Sequence, residues 1–249
     1  MSWWDWGKNI ANNFAQEIGK KWSPPPEKDM FQETGELSPD EFKRAGNHLI
    51  KICKGWQWKA SENKEFKSKY LDEGQQYLLL EKNTCRRRLN TNLKEPEVAK
   101  VEDKVIKEGE EEIVVLEGGD YKEEEDKIEN YRYYKMYIVY DEYYHTPRMY
   151  FSATNHDGTP VSNDDIRQDI QREYLDKTLT MEKFPFLEGV TMPTVHPCRH
   201  AAVLKTMSDS MVESGHKIES HFALLIFLKF ISSVIPYVEF DVTGDLIFN

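Results

Sequence analysis

An acidic stretch in the middle of the chain limits what the remaining sequence can fold into. Across residues 89–128, the clusters Glu110-Glu111-Glu112 and Glu123-Glu124-Glu125-Asp126 surround one apolar island, Ile113-Val114-Val115-Leu116. Because such an acidic composition cannot bury a core, we predict a disordered excursion here, and the compact domain must come from the segments on either side. The island is typical of a peptide that orders on a partner protein, and a short edge strand is the alternative.

The overall composition fits one globular domain with flexible extensions, at 249 residues with 39% hydrophobic and 31% charged content. A net charge of −11 argues against nucleic acid as a partner and against electrostatic attraction to anionic lipid, so any membrane contact must be hydrophobic and local. Three cysteines and no signal peptide predict free thiols in a reducing compartment. The longest apolar run, Phe222–Ile235, is interrupted by Lys229 and predicts a buried helix rather than a membrane span.

The first 22 residues have the clearest helical period in the chain. Apolar residues share one face of the predicted helix, while asparagines, glutamine and a few charged residues occupy the other. Pro24-Pro25-Pro26 ends the helix, so we predict an amphipathic membrane helix with a stiff proline spacer over residues 1–26. Docking of this helix on the protein's own core is the alternative. The expected membrane-binding residues are Trp3, Trp6, Ile10, Phe14 and Ile18.

Residues 27–249 alternate between helical and strand patterns, which predicts one α+β domain interrupted by the acidic stretch. Ser38, Pro39 and Glu41 form a capping box that starts its first helix, and Gly55 ends that helix. The other predicted elements are strands at Trp56–Trp58, Tyr77–Leu80, Tyr131–Tyr140, Arg148–Ala153 and Thr178–Met181, and helices after Ser162, after Cys198 and from about Glu219 to Ile235.

Cys198 lies between a proline and an amphipathic helix. Pro197 fixes its own φ angle and favours an extended His196, so the cysteine is predicted to sit on a stiff loop. The basic neighbours His196, Arg199 and His200, together with a nearby helix amino terminus, favour the thiolate, which is the form that attacks. Cys198 is therefore the candidate nucleophile, and a half-buried structural cysteine is the alternative.

Other uses of the cysteines are less well supported. Cys85 precedes Arg86-Arg87-Arg88, which would also lower a thiol pKa, but it is predicted to end a strand with no pocket-forming sequence around it. A metal site made of His196, Cys198 and His200 lacks a convincing fourth ligand, so we expect neither a metal nor a cofactor. A cysteine protease is disfavoured because the sequence marks no histidine and Asn/Asp partners for the thiol.

The order of a helix, antiparallel strands, a cysteine loop and two helices is that of ubiquitin-conjugating enzymes. Within that fold, the sequence resembles the autophagy-related protein 3 family, over segments that span nearly the whole chain outside the acidic stretch. These segments are Glu33–Trp58, Tyr140–Arg148 (Tyr-Asp-Glu-Tyr-Tyr-His-Thr-Pro-Arg), Lys177–Glu182, His196–Ala201 (His-Pro-Cys-Arg-His-Ala) and Leu224–Phe230.

The resemblance implies a conjugating enzyme of autophagosome formation. Cys198 would receive a ubiquitin-like autophagy protein as a thioester from an activating enzyme and pass it to the amine of phosphatidylethanolamine. Thr178 matches a residue that the family places beside the cysteine and is expected to support the transition state, with His196 in a positioning role. The resemblance also implies the ligase-like conjugate of autophagy as a partner, and a cytoplasmic protein recruited peripherally to curved, phosphatidylethanolamine-containing pre-autophagosomal membranes.

Two departures from the family pattern and two competing functions stay open at this point. Ubiquitin-conjugating enzymes carry a His-Pro-Asn triplet upstream of the cysteine, and this chain has none, so the group that stabilises the oxyanion is open. The short Ser208–Ser220 segment lacks the aromatic-x-x-aliphatic docking motif that family members can carry there. The competing functions are a sibling enzyme that conjugates a protein lysine, which needs no membrane helix, and a non-catalytic membrane-recruited scaffold of the same fold.

Overall fold

The structure, a computed structural model, describes residues 23–89, 131–175 and 178–240. The predicted membrane helix, the apolar island with nearly all of the acidic stretch, and residues 241–249 lie outside the described residues. The predictions made for those parts therefore stay predictions. In the ranges that the structure describes, no helix is both long enough and apolar enough to cross a bilayer.

Six strands and six α-helices, with three short 3₁₀ turns, make up the described part of the chain. In chain order they are α1 (Phe31–Thr34), α2 (Pro39–Ile52), β1 (Gln57–Lys59), β2 (Tyr77–Cys85), β3 (Arg132–Asp141), β4 (Thr146–Asn155), α3 (Asn163–Ile166), a 3₁₀ turn (Arg167–Asp169), α4 (Arg172–Leu175), β5 (Leu179–Lys183), β6 (Thr191–Val195), a 3₁₀ turn (Pro197–Arg199), α5 (His200–Glu213), a 3₁₀ turn (Ser220–Phe222) and α6 (Ala223–Val234).

The strands join in one antiparallel sheet with the order β1–β2–β3–β4–β6–β5. The central hairpin β3–β4 pairs along its whole length, from Arg132 opposite Asn155 to Asp141 opposite Thr146. β6 runs beside β4, with Thr194 opposite Tyr150, so the end of β6 lies next to the β3–β4 turn. The predicted α+β architecture, an antiparallel sheet flanked by helices, is confirmed.

The helices bury one face of the sheet. α2 begins as predicted: the Ser38 hydroxyl accepts the Glu41 backbone N–H, and the Glu41 carboxylate accepts the Ser38 N–H. The hydrophobic α6 lies almost entirely within the main core, because apolar residues surround its axis. The opposite face of the sheet carries a smaller aromatic cluster in which Phe184 and Phe186 pack on Tyr77. The Phe184–Leu187 segment therefore has a structural role.

Two elements differ from expectation. The predicted helix after Ser162 is interrupted, because a 3₁₀ turn follows α3 and Ile170 has an extended backbone (φ −102°, ψ 138°). The apolar residues of this region, Ile166, Ile170 and Tyr174, are nevertheless buried. β6 is not predicted by the sequence pattern, since Pro193 cannot donate a ladder hydrogen bond and argues against a strand inside a sheet. Pro193 nevertheless lies in β6, opposite Met181 of β5.

A buried ion cluster closes the base of the segment that joins β2 to β3. The Asp169 carboxylate is fully buried and pairs with Arg88 (Nε, 3.3 Å) and Arg132 (Nη1, 2.8 Å). The Tyr134 hydroxyl donates to the same carboxylate at 2.5 Å, and the Leu89 backbone N–H donates to a carbonyl of the Arg167–Asp169 turn. Burial raises the pKa of Asp169 even though both guanidiniums oppose that shift. Both ends of the segment are thus fixed to one turn. We refer to Arg88, Arg132, Tyr134 and Asp169 as the stem cluster.

Candidate active site

Cys198 is presented at the start of a helix, as predicted. β6 leads into an extended His196 (φ −61°, ψ 128°), and Pro197–Arg199 form the 3₁₀ turn from which α5 continues at His200. Cys198 is partly exposed, whereas the other two cysteines, Cys53 and Cys85, are buried. The thiol therefore lies on a stiff turn with access to a reaction partner.

His196 holds the backbone of this turn. Its Nδ1 accepts the backbone N–H of Cys198 at 3.3 Å, and its own backbone N–H donates to the Thr178 carbonyl at 2.7 Å. Burial, and next the positive charge of Arg148, lower the pKa of His196, so the ring is neutral at physiological pH. Because Nδ1 is an acceptor, the remaining ring proton is on Nε2.

His200 does not act as the basic neighbour that the sequence suggests. Its side chain is fully buried, and its Nδ1 donates to the Pro147 carbonyl at 2.7 Å. Burial lowers the pKa of His200 to about 3, so the imidazole carries no charge that could favour a thiolate. Its role is to fix the first turn of α5 against β4. Among the described residues there is also no group of three His, Cys, Asp or Glu side chains suited to a metal ion.

Thr178 supports the turn through its backbone. Its hydroxyl is buried and donates to the Tyr174 carbonyl at 2.8 Å, while its carbonyl accepts the His196 N–H. The expected role of Thr178 in the transition state stays a prediction, and it requires the hydroxyl to leave Tyr174. In the structure, Thr178 anchors the turn of Cys198 by accepting the His196 N–H.

The β3–β4 turn, residues 142–145, places aromatic side chains beside the cysteine, and we refer to it as the tyrosine turn. One carboxylate oxygen of Asp141 accepts the backbone N–H groups of Tyr143 (3.0 Å) and Tyr144 (2.9 Å), and the other contacts Arg148 at 3.2 Å. The Tyr144 ring then packs edge-on against His196, with 5.6 Å between ring centroids. Asp141 therefore fixes the backbone of the tyrosine that packs on His196, the residue before the turn Pro197–Arg199 that carries Cys198, which we call the cysteine turn.

Arg148 ties together the strands that carry the site. Its Nε donates to the Thr194 hydroxyl at 3.1 Å, and its guanidinium forms ion pairs with Glu182 and Asp141 and lies over the Tyr150 ring. One side chain of β4 thus connects β3, β5 and β6. Residue-level sequence reasoning does not single out Asp141, Tyr144 or Arg148, although all three belong to the Tyr-Asp-Glu-Tyr-Tyr-His-Thr-Pro-Arg segment that carries the resemblance.

A second support comes from the segment before α2. Gly35 has a left-handed φ of +75°, and its Cα approaches the first turn of α5 so closely that an added Cβ would lie 2.0 Å from the Ala201 carbonyl oxygen. Two residues on, the Leu37 N–H donates to the His145 carbonyl, and the Leu37 carbonyl accepts the Tyr140 hydroxyl. The segment therefore buttresses both the cysteine helix and the tyrosine turn.

Cys85 ends β2 as predicted, but its surroundings differ from expectation. It lies in the core rather than at the periphery, and burial raises the pKa of its thiol to about 12. Arg88 and Arg132 act in the opposite direction and do not overcome desolvation. A thiol with that pKa is protonated and unreactive near neutral pH, so Cys85 is not a nucleophile.

Comparison with known proteins agrees with this geometry. Residues 41–242 match the family described as autophagocytosis associated protein, active-site domain, a range that includes Cys198 and the tyrosine turn. The chain belongs to this family. Its relatives named autophagy-related protein 3 include the Schizosaccharomyces pombe protein, 30% identical over 89% of this chain and 93% of the relative, and the Kluyveromyces lactis protein, 27% identical over 86% and 92%. The Arabidopsis thaliana relative is 28% identical over 86% of this chain and 89% of its own.

Membership of the autophagy-related protein 3 family confirms the resemblance and the ubiquitin-conjugating-enzyme-like fold. The chain is accordingly an autophagy enzyme of the ubiquitin-like conjugation type. The alignment to the Kluyveromyces lactis relative extends over 281 residues, more than the 249 of this chain, so the relative contains segments that this chain lacks.

Proposed function

We propose that Cys198 accepts a ubiquitin-like autophagy protein from an activating enzyme as a thioester and transfers it to the amine of phosphatidylethanolamine. The observation that supports this most directly is the setting of Cys198, the one partly exposed cysteine of the described residues, on a stiff turn inside the family's active-site domain. A thioester suits the task because it stays reactive towards amines while the cysteine remains a good leaving group.

The membrane part of the proposal comes from the sequence of residues 1–26 and from the position of Ser23. The Ser23 carbonyl faces Nε2 of His145 at 3.1 Å, and His145 is the last residue of the tyrosine turn. Ser23, which follows the predicted membrane helix in sequence, therefore lies at the end of the sheet where the β3–β4 turn and the turn of Cys198 are found. A helix lying in the bilayer interface would therefore bring lipid amines to the thioester, and the protein would work as a cytoplasmic enzyme recruited to pre-autophagosomal membranes.

The test of this function is a non-reducing gel after incubation with an activating enzyme, the ubiquitin-like protein and ATP. A thiol-sensitive adduct on the chain is the expected result. Adding vesicles that contain phosphatidylethanolamine should then convert the ubiquitin-like protein to its lipid-linked form. No adduct would favour a non-catalytic scaffold, and transfer to lysine without lipid would favour the sibling enzyme.

The membrane helix gives a separate prediction. Trp6→Asp or Phe14→Asp puts a charge into the apolar face, where burying each aromatic side chain contributes about 1.5–3 kcal/mol. Both variants should abolish transfer to vesicles and leave charging of Cys198 in solution intact. Because the polar face holds few lysines, binding should depend on packing defects, and small vesicles should react faster than large ones of the same composition. Normal transfer by the Asp variants would contradict the membrane helix, and equal rates on both vesicle sizes would contradict curvature sensing.

The acidic stretch is proposed to recruit a conjugation partner through Ile113-Val114-Val115-Leu116. Deleting residues 110–126 should slow charging of Cys198, because the docking peptide for the activating enzyme would be lost. The thermal midpoint should stay nearly unchanged, because the ion pairs of the stem cluster, which hold β2 and β3 together, lie outside the deleted residues. A large fall in the midpoint would show that the segment is a folded strand, and unchanged recruitment and charging would contradict the docking role.

A further inference from the structure

The proposed transfer needs a hydrogen-bond donor for the oxyanion, and the geometry around Cys198 removes two candidates. The Thr178 hydroxyl is buried and donates to the Tyr174 carbonyl, and the His200 ring is buried and donates to the Pro147 carbonyl. His196 uses Nδ1 to accept the Cys198 backbone N–H, so only its far nitrogen can donate. The inference that follows rests on the proposed function and names the side chain that would donate the hydrogen bond to the oxyanion.

Tyr144 lies beside the cysteine turn, in contact with His196. Its backbone is fixed by the Asp141 carboxylate at 2.9 Å, and Asp141 is fixed in turn by Arg148. Its ring packs edge-on against His196, the residue that caps the Cys198 backbone. Arg148 contacts Asp141 of β3, Glu182 of β5 and Thr194 of β6, so the strands around the site fix the backbone that carries Tyr144.

We propose that Tyr144 is a catalytic residue that donates its phenol O–H to the thioester oxygen as the amine attacks. The amine nitrogen forms a bond to the carbonyl carbon, and the carbonyl π electrons move to the oxygen, which becomes an oxyanion. Collapse of that intermediate restores the carbonyl and breaks the carbon–sulfur bond, which releases the Cys198 thiolate. The nitrogen loses one proton to solvent, and the phenol keeps its own proton throughout.

The protonation state of Tyr144 fits a donor rather than a base. Burial, and next the proximity of Cys198, raise the pKa of the phenol above its usual value. Tyr144 therefore keeps its proton across the physiological range. A tyrosine can in this way provide the donor that the missing His-Pro-Asn asparagine would otherwise supply.

The test is discharge of preformed thioester in a single turnover, with phosphatidylethanolamine vesicles and with free ethanolamine as amines. Tyr144→Phe keeps the ring on His196 and removes only the hydroxyl, so discharge to both amines should slow about 10-fold to 100-fold while charging stays within about twofold. Tyr143→Phe is the matched control from the same turn and should discharge like the wild type. The slowing should be the same from pH 7 to pH 9, because the phenol donates a hydrogen bond and transfers no proton.

Each contrary result has a distinct meaning. Discharge by Tyr144→Phe within about twofold of the wild type would overturn the assignment. So would an equal loss of charging and discharge, which would show a structural role in the turn, or a defect that changes with pH, which would show a general base. If the wild type forms no thioester at all, the proposed function fails first, and the gel reveals that before any discharge is measured.

Discussion

Cys198→Ala should reduce transfer of the ubiquitin-like protein to background, because no other thiol of the described residues is positioned to replace it. Cys198→Ser should instead trap an oxygen ester, since an alkoxide is a poorer leaving group than a thiolate and the ester reacts slowly with amines. The adduct on the serine variant should survive thiol reagents that remove the wild-type adduct. A gel with and without reductant distinguishes the two.

The other cysteines provide the matched comparison. Cys53→Ala and Cys85→Ala should retain charging when assayed on folded protein, although removing the Cys85 side chain from the core should lower the thermal midpoint. Full lipid transfer by Cys198→Ala would contradict the assignment of Cys198 as the nucleophile. Loss of charging in folded, monodisperse Cys85→Ala would reopen Cys85 as a participant.

Gly35→Ala should strongly destabilise the domain. Its Cβ would lie 2.0 Å from the Ala201 carbonyl oxygen and 2.9 Å from the Lys205 backbone nitrogen, neither of which can move without shifting α5. The left-handed φ of +75° adds backbone strain of about 1–3 kcal/mol. We expect the free energy of unfolding to fall by at least about 3 kcal/mol, measured by denaturant titration.

Gly74→Ala is the control for that variant, because its Cβ would meet no atom within 4 Å. It should change the free energy of unfolding by less than about 0.5 kcal/mol. Since α5 follows directly from the cysteine turn, Gly35→Ala should also slow charging below the melting temperature. A Gly35→Ala protein as stable and active as the control would show that α5 tolerates displacement and that the buttress is unnecessary.

Local signals in the sequence predict much of the fold. Ser38 and Glu41 start a helix through contacts three residues apart, and aromatic and β-branched residues mark β3, so neighbouring residues contain the information. The same holds for the cysteine turn, because Pro197 acts on the residues that adjoin it.

Contacts between distant residues account for what could not be predicted. Pro193 argues against a strand, yet pairing with β5 holds it in the sheet. A histidine beside a reactive cysteine looks basic, but only the fold shows that His200 points into the core and loses its charge. Likewise, the sequence around Cys85 does not show that desolvation changes the thiol pKa more than the arginines do. The sequence around Asp141 does not show which backbone N–H groups its carboxylate will accept.

The stem cluster has a consequence for how this enzyme can change over evolutionary time. Arg88 and Arg132 form ion pairs with the same buried Asp169, which holds the open ends of β2 and β3 together on both sides of the segment that joins them. Closing a longer loop costs free energy only logarithmically, about 0.6 kcal/mol for each doubling of its length. Insertions, deletions or replacement of the sequence between Arg88 and Arg132 should therefore change the free energy of unfolding of the catalytic domain very little. Under the proposed docking role, partner choice could diversify between lineages in that segment without a change in the domain that carries Cys198.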